Sequence, residues 1–369
     1  MTERFDIMVT CRLGFENVVA SYLKELFPQA RVVPRPYGFQ GIVLIAGLGD
    51  RAAEAVQVIK TRVPEAERVV VVHAQTRAAI DEIVSAARDV AKNLIPGDSS
   101  FAVKTTRRGK HSFTSIDVNV AVGAVVQEAT GARVDLSNPI RVVLVEILQD
   151  VALISVVDGR ELAKKMRPYK YPMYRVFHML RVAHEPYLGP LDAARTMGMR
   201  VGRSVQTFEV GELVVAPIGP VDAQQLLEFL KGLFEGIESR YAVQERSYGR
   251  RVRRTRVLVQ DMYQFVRMHM GEPMIVFEPE GEPISRVAGE VRELVLKALR
   301  RGKKVNILVG AREGVPVGVF RVADLVLDVA PGIVISTDYA LSSALIALAT
   351  ILHEKLAQGG EGIAESSSS

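Results

Sequence analysis

Tryptophan is absent from the 369 residues and cysteine occurs once, at Cys11. A single thiol builds no internal disulfide and no cysteine-ligated zinc or iron–sulfur site. The histidines, His73, His111, His178, His184, His269 and His353, show no paired metal spacing, so no metal is expected. No unbroken apolar run spans a membrane, because Ser336, Thr337, Asp338, Ser342, Ser343 and Thr350 interrupt the most apolar stretch, Ile333 to Leu352. The start, MTERFDIMVTCR, carries Glu3, Arg4 and Asp6 where a signal peptide is apolar, and the cytoplasm is the expected compartment. Two glycine-rich stretches also lack what their chemistry needs. Gly310-Ala311-Arg312-Glu313-Gly314 has no Lys-Ser/Thr after it, which excludes an ATP-hydrolysing phosphate loop. Gly47-Leu48-Gly49-Asp50-Arg51-Ala52 has no acidic strand end at the distance a dinucleotide fingerprint requires, and reads as a strand-to-helix turn.

What is present fits two or three globular domains: 48% hydrophobic and 24% charged residues. The first 65 residues read as strand, helix, strand, helix, with strands at Phe5–Thr10 and Gly41–Ala46 and Asp50 as N-cap of a helix to about Arg62. A second unit, 66–159, opens on the β-rich run Arg68–His73 and closes on strands Arg141–Leu148 and Ala152–Val157, with Asp158-Gly159 as the boundary turn. A basic, tyrosine-bearing connector follows over 160–181. Short apolar runs at Pro273–Phe277, Lys304–Val309, Leu325–Asp328 and Gly332–Ile335, separated by helices, predict a parallel α/β sheet. The tail, 358–369, reads as disordered.

The net charge of +5 matters through its distribution. Lys104, Arg107, Arg108 and Lys110 crowd one glycine turn, and Arg246, Arg250, Arg251, Arg253, Arg254 and Arg256 form a second cluster. Charges this close repel, so an anion is expected to offset them; separated patches suit a long phosphate backbone.

Phe101–His111, then Val122-Gly123, then Val134-Asp135-Leu136-Ser137-Asn138-Pro139 and Val143–Ile147 resemble a THUMP domain. In tRNA-modifying enzymes that domain follows a small ferredoxin-like domain, the place the first 65 residues occupy. The resemblance implies binding of the tRNA acceptor stem and 3′ end through Lys104, Arg107, Arg108, Lys110 and His111. Asp135, Asn138 and Pro139 read as turn-formers.

The C-terminal part, 160–357, resembles the SPOUT methyltransferases, whose last α/β segment is tucked through a loop as a trefoil knot. The residues that carry this are Phe277-Glu278-Pro279-Glu280-Gly281-Glu282-Pro283, Leu308–Pro316, and Ala330–Leu341. The resemblance implies S-adenosylmethionine (SAM) held by Glu278, Pro279, Gly281, Leu308, Val309, Gly310, Glu313, Gly314, Ile333, Ile335, Thr337, Ala340 and Leu341, in a homodimer. Arg195, Arg200 and Arg203 are candidates to position a phosphate or the accepting base. Glu313 and Asp338 are candidate general bases, Asp338 being alternatively the N-cap of the last helix. Together these imply an α/β fold and a SAM-dependent tRNA methyltransferase. The alternative is a non-catalytic THUMP adapter that presents tRNA to another modifying enzyme, such as a cytidine acetyltransferase.

Overall fold

A computed structural model describes residues 4–162 and 165–358, and the chain divides into two compact units, Met1–Arg167 and Pro168–Ser369. The first unit begins β1 (Ile7–Cys11), α1 (Glu16–Leu26), β2 (Arg31–Pro34), β3 (Ile42–Ala46), α2 (Ala52–Arg62) and β4 (Ala66–Val71). Its four-stranded sheet runs β2-β3-β1-β4, the split β-α-β-β-α-β arrangement of ferredoxin-like domains. All of β1 is buried because both its faces are covered. Ile7, Val9 and Cys11 meet the helices, while Met8 joins an apolar layer with Val142, Leu144 and Leu153 of the following sheet.

That following sheet contains β5 (Ala74–Arg77), β6 (Ser100–Arg108), β7 (Arg133–Val134), β8 (Arg141–Leu148) and β9 (Val151–Asp158), ordered β5-β9-β8-β6-β7. Two helices, α3 (Ile80–Leu94) and α4 (Ser115–Thr130), cover one face. A reciprocal capping box starts α4: Asp117 N–H donates to the Thr114 hydroxyl at 3.2 Å, and Thr114 N–H donates to the Asp117 carboxylate at 2.7 Å. Asp135 forms the expected turn by accepting from the N–H groups of Ser137 and Asn138.

The second unit holds α5 (Tyr174–Phe177), β10 (Leu180–His184), α6 (Leu191–Thr207), β11 (Glu212–Val215), α7 (Ala223–Ser247), β12 (Arg256–Val259), α8 (Met262–Met268), β13 (Met274–Pro283), α9 (Ala288–Arg300), β14 (Val305–Val309), α10 (Val317–Phe320), β15 (Leu325–Asp328) and α11 (Thr337–Gln358). Its six strands pair in parallel throughout, in the order β12-β11-β10-β14-β13-β15. Helices α6, α7, α9 and α11 pack on one face, α8 and α10 on the other. The helix α11 is long and apolar enough to cross a membrane, yet Leu341, Ala344, Leu345, Leu348 and Leu352 are buried in this core.

Several expectations need correction. The run Arg68–His73 does not open the second sheet: β4 pairs with β1, so the N-terminal sheet extends to Val71 rather than ending at residue 65. Asp50 lies inside a 3₁₀ turn, Gly49–Arg51, and caps nothing with its side chain. Gly332–Ile335 is no strand, since β15 is the sheet edge and Ile333 and Val334 are 64% and 90% exposed. The basic glycine turn is narrower than expected: β6 continues through Arg108 against Leu148 of β8, which leaves, of the basic residues, only Lys110 and His111 beyond the strand. The connector runs into the six-stranded sheet: Arg181 belongs to β10 and hydrogen-bonds Glu212, Glu272 and Asn306. Its Lys164 and the tail beyond Gln358 lie outside the described residues.

Candidate functional site

In a parallel α/β sheet, ligands bind beyond the carboxyl ends of the strands, where loops converge and the strand order changes direction. Such a place exists here. After β13 the chain goes inward to β14 and then back outward to β15. A cavity of about 240 Å³ opens beyond those three strand ends. The loop Gly310–Pro316, leaving β14, forms its centre and is held from both neighbouring strands. From β10, Glu185 accepts the Ala311 N–H at 2.8 Å; from β13, Glu278 accepts the Val315 N–H at 2.7 Å.

Gly310 and Gly314 are required by this clasp. A Cβ on Gly310 would lie 2.3 Å from a Glu278 oxygen and 2.5 Å from Gly314 Cα. Gly314 has φ of +77°, where a side chain is strained. Burial raises the pKa of Glu278, with the Glu280 and Glu185 charges adding to it against the Val315 N–H. Glu185 is also raised, first by burial and then by Glu313. Glu278, Glu280, Glu313 and Asp328 line the cavity against one lining cation, Arg312, so its field is negative.

Of the residues expected to hold SAM, Glu278, Pro279, Val309, Gly310, Glu313, Gly314, Ile333, Ile335, Thr337 and Ala340 line this one cavity. Gly281, Leu308 and Leu341 do not. Gly281 is a close-packing position, where a Cβ would fall 2.4 Å from Leu327 N. Leu308 points into the core beneath α8 and α10, and Leu341 into the core of the opposite face. Glu185, Glu280, Arg312 and Asp328 were missed, although Glu185 and Asp328 each end an apolar strand run that the sequence displays.

The candidate catalytic residues separate. Arg195 pairs with Glu228 and Glu235, and Arg203 donates to Ser239, so both are committed to α7. Arg200 sits on another face of α6 and meets Asp338 at 3.0 Å. Asp338 also accepts from the Ser336 hydroxyl at 2.7 Å, which ties the start of α11 to α6 and leaves it a poor free base. Asp338 does not cap the helix by the expected position, since it lies inside the first turn. Glu313 remains exposed at the cavity rim.

The basic clusters are also partly neutralised. On β6, Lys104 is exposed and Arg107 faces the opposite side of the strand. Arg108 is ion-paired to the buried Glu146 and is no free phosphate contact. Lys110 is exposed, and the His111 ring bonds the Gln149 carbonyl at 2.6 Å. In the arginine run, Arg250 binds the buried Glu209 and stacks 3.6 Å from the Tyr174 ring centre. Burial works to raise Glu209, yet His178 and Arg250 pull it down to about 2. Arg254 pairs with Glu238 and Arg256 with Glu212, while Arg246 bonds the Ala242 carbonyl. Arg251 and Arg253 keep exposed side chains.

Residues 174–369 match the family described as AF2226-like SPOUT RNA Methylase fused to THUMP, and residues 77–157 match the THUMP domain. The chain belongs to this family. This THUMP-fused SPOUT methylase is 36% identical over 343 residues to an uncharacterised protein of Methanocaldococcus jannaschii, covering 92% of each. A probable tRNA sulfurtransferase of the same organism is 45% identical over 80 residues, 20% of this chain and 21% of that relative. Among solved structures, TrmN from Thermus thermophilus overlaps 87% of this chain and 92% of its own, at 19% identity and a TM-score of 0.34. The family assignment supports an RNA methyltransferase with an RNA-binding THUMP domain.

Proposed function

We propose that the protein uses SAM to methylate a nucleotide of tRNA, with the THUMP-containing unit binding the acceptor 3′ end. The observation that carries this is the cavity beyond β13, β14 and β15, whose walls combine glycine backbone, the exposed apolar Ile333 and Val334, and a surplus of carboxylates. Glycines let a ligand approach backbone amides and carbonyls closely, and a negative field favours a cationic sulfonium. The residues present therefore fit the group: Gly310, Gly314 and Thr337 would meet its polar atoms, and Ile333, Ile335 and Ala340 would give it an apolar wall. When bound, SAM supplies an electrophilic methyl group.

The protein's task is then alignment of the accepting atom. The Gly310–Pro316 loop is already ordered by its two carboxylate contacts, which lowers the cost of organising it around a ligand. Glu313, at the rim, is the group placed to take a proton where the accepting atom must lose one. Arg200 anchors α11 through Asp338 and so fixes the Thr337–Ala340 wall. A trefoil knot and a homodimer that completes the site belong to the same reading, and the order β14-β13-β15 suits a chain that returns past itself.

Mass spectrometry of nucleosides from unmodified tRNA, after incubation with the protein and SAM, tests the reading. One new methylated nucleoside is expected. Retained tRNA binding with no SAM binding by calorimetry would instead favour the adapter.

A further inference from the structure

A second cavity, of about 420 Å³, lies on the methylase unit between α9 and α11. It is a groove along one stripe of α9, from Gly289 to Arg301, with Lys355 of α11 on its other bank. Its charge is one-sided among the described residues: Arg292, Lys297, Arg300, Arg301 and Lys355 line it beside one carboxylate, Glu293. Arg292 ties the two banks together by donating to the Ile351 carbonyl at 3.2 Å.

Elsewhere on this unit, exposed arginines meet carboxylates: Arg195 with Glu235, Arg254 with Glu238, Arg286 with Glu282. In the groove, Lys297, Arg301 and Lys355 are exposed and have no carboxylate partner among the described residues. Glu293 stands four residues before Lys297, a spacing that favours pairing on a helix, yet the two do not pair. Helix C-termini favour cations, which accounts for a charge near the end of α9 but not for Arg292, two turns earlier.

The cations are strung along the helix rather than gathered at one point, over about 12 Å between Arg292 and Arg300 at 1.5 Å per residue. A small anion reaches one or two of Lys297, Arg301 and Lys355; a polyanion reaches all three. We propose that this groove is a second RNA-binding surface, holding consecutive backbone phosphates of the substrate on the methylase unit itself. The direction of α9 adds to this. The helix starts just beyond the carboxyl end of β13, on the side of the sheet where the cavity opens, and runs back toward the amino end of β14. A strand laid in the groove is thus led to the edge where methyl transfer is proposed. This surface rests on the RNA-methylating reading above.

The test uses the full chain and unmodified tRNA, with affinity measured across a salt series for wild type, Lys297→Ala/Arg301→Ala and Lys355→Ala. Alanine at the exposed helical positions 297 and 355, and at Arg301 just past the end of α9, preserves the helices. The double substitution is expected to weaken tRNA binding about tenfold at moderate salt and to lower the log–log salt slope by about 1.4–1.8, two phosphate contacts' worth. SAM affinity and the mass of the particle in solution should not change. An unchanged salt slope with unchanged methyl transfer overturns the groove and leaves the methylating reading intact. So does a change of oligomeric state with unaltered tRNA binding, which would make the groove a contact between copies. Wild-type protein that neither binds nor methylates tRNA overturns both.

Discussion

His184 closes β10 with its ring fully enclosed, and burial lowers its pKa from 6.5 to about 4. Its Nδ1 bonds the Glu185 carbonyl at 2.6 Å. Above pH 6.5 the ring is neutral both folded and unfolded, so its contribution to stability is complete. As pH falls toward 4, only the unfolded chain takes up the proton, and stability declines by about 3 kcal/mol. Denaturant titrations between pH 7 and 4 should show this decline, and His184→Gln should flatten it. The depressed Glu209 acts in a lower window, its stabilisation being lost as pH falls from 4.5 to about 2. On β6, neighbouring cations should behave oppositely. Arg108→Ala strands the buried Glu146 charge and should cost about 3 kcal/mol of stability. Lys104→Ala and Lys110→Ala should spare stability and each lower the salt slope of RNA binding by about 0.9. The sequence displays all of these cations alike; only the strand register shows which one faces a buried carboxylate.

Among the elements, the α6–α7 pair rests on four glycines. A Cβ at Gly198, Gly202, Gly232 or Gly236 would fall about 2 Å from a carbonyl oxygen of the facing helix, 1.9 Å in the case of Gly232 and Arg195. Gly232→Ala should therefore push the helices apart and destabilise the second unit by about 3 kcal/mol, readable as a drop in thermal midpoint. In each helix the two glycines stand four residues apart in the sequence, but only the packing shows that the two pairs face one another. The Gly310–Pro316 loop invites a different substitution. Gly310→Ala should abolish SAM binding in calorimetry, since its Cβ displaces Glu278 from the clasp, and should leave tRNA affinity within twofold of wild type. The strands that lead into the cavity were legible from their apolar runs. Gly332–Ile335 was misread because an apolar run signals burial, whereas these residues lie beyond the sheet edge in the cavity wall.

Taken whole, the molecule has two units with separate cores, and SAM should register on the second of them alone. Amide exchange on the full chain should show SAM protecting the ends of β13, β14 and β15 and the loop between Gly310 and Pro316, with β6 and β8 unaffected. Light scattering should give twice the 40.5 kDa chain mass. By itself the sequence determined the alternation of strands and helices, hence a parallel C-terminal sheet, and the order of three loop motifs destined for one edge of it. The alternation follows from local periodicity and turn chemistry, which are properties of neighbouring residues, and the loop motifs from the resemblance to SPOUT methyltransferases. The tertiary structure decided what depends on distant partners. It paired β4 with β1, joined Arg200 to Asp338 across 138 residues, and spent Arg108, Arg195 and Arg250 on carboxylates. A charge counts toward a ligand only when no internal partner already neutralises it, and that is settled by packing.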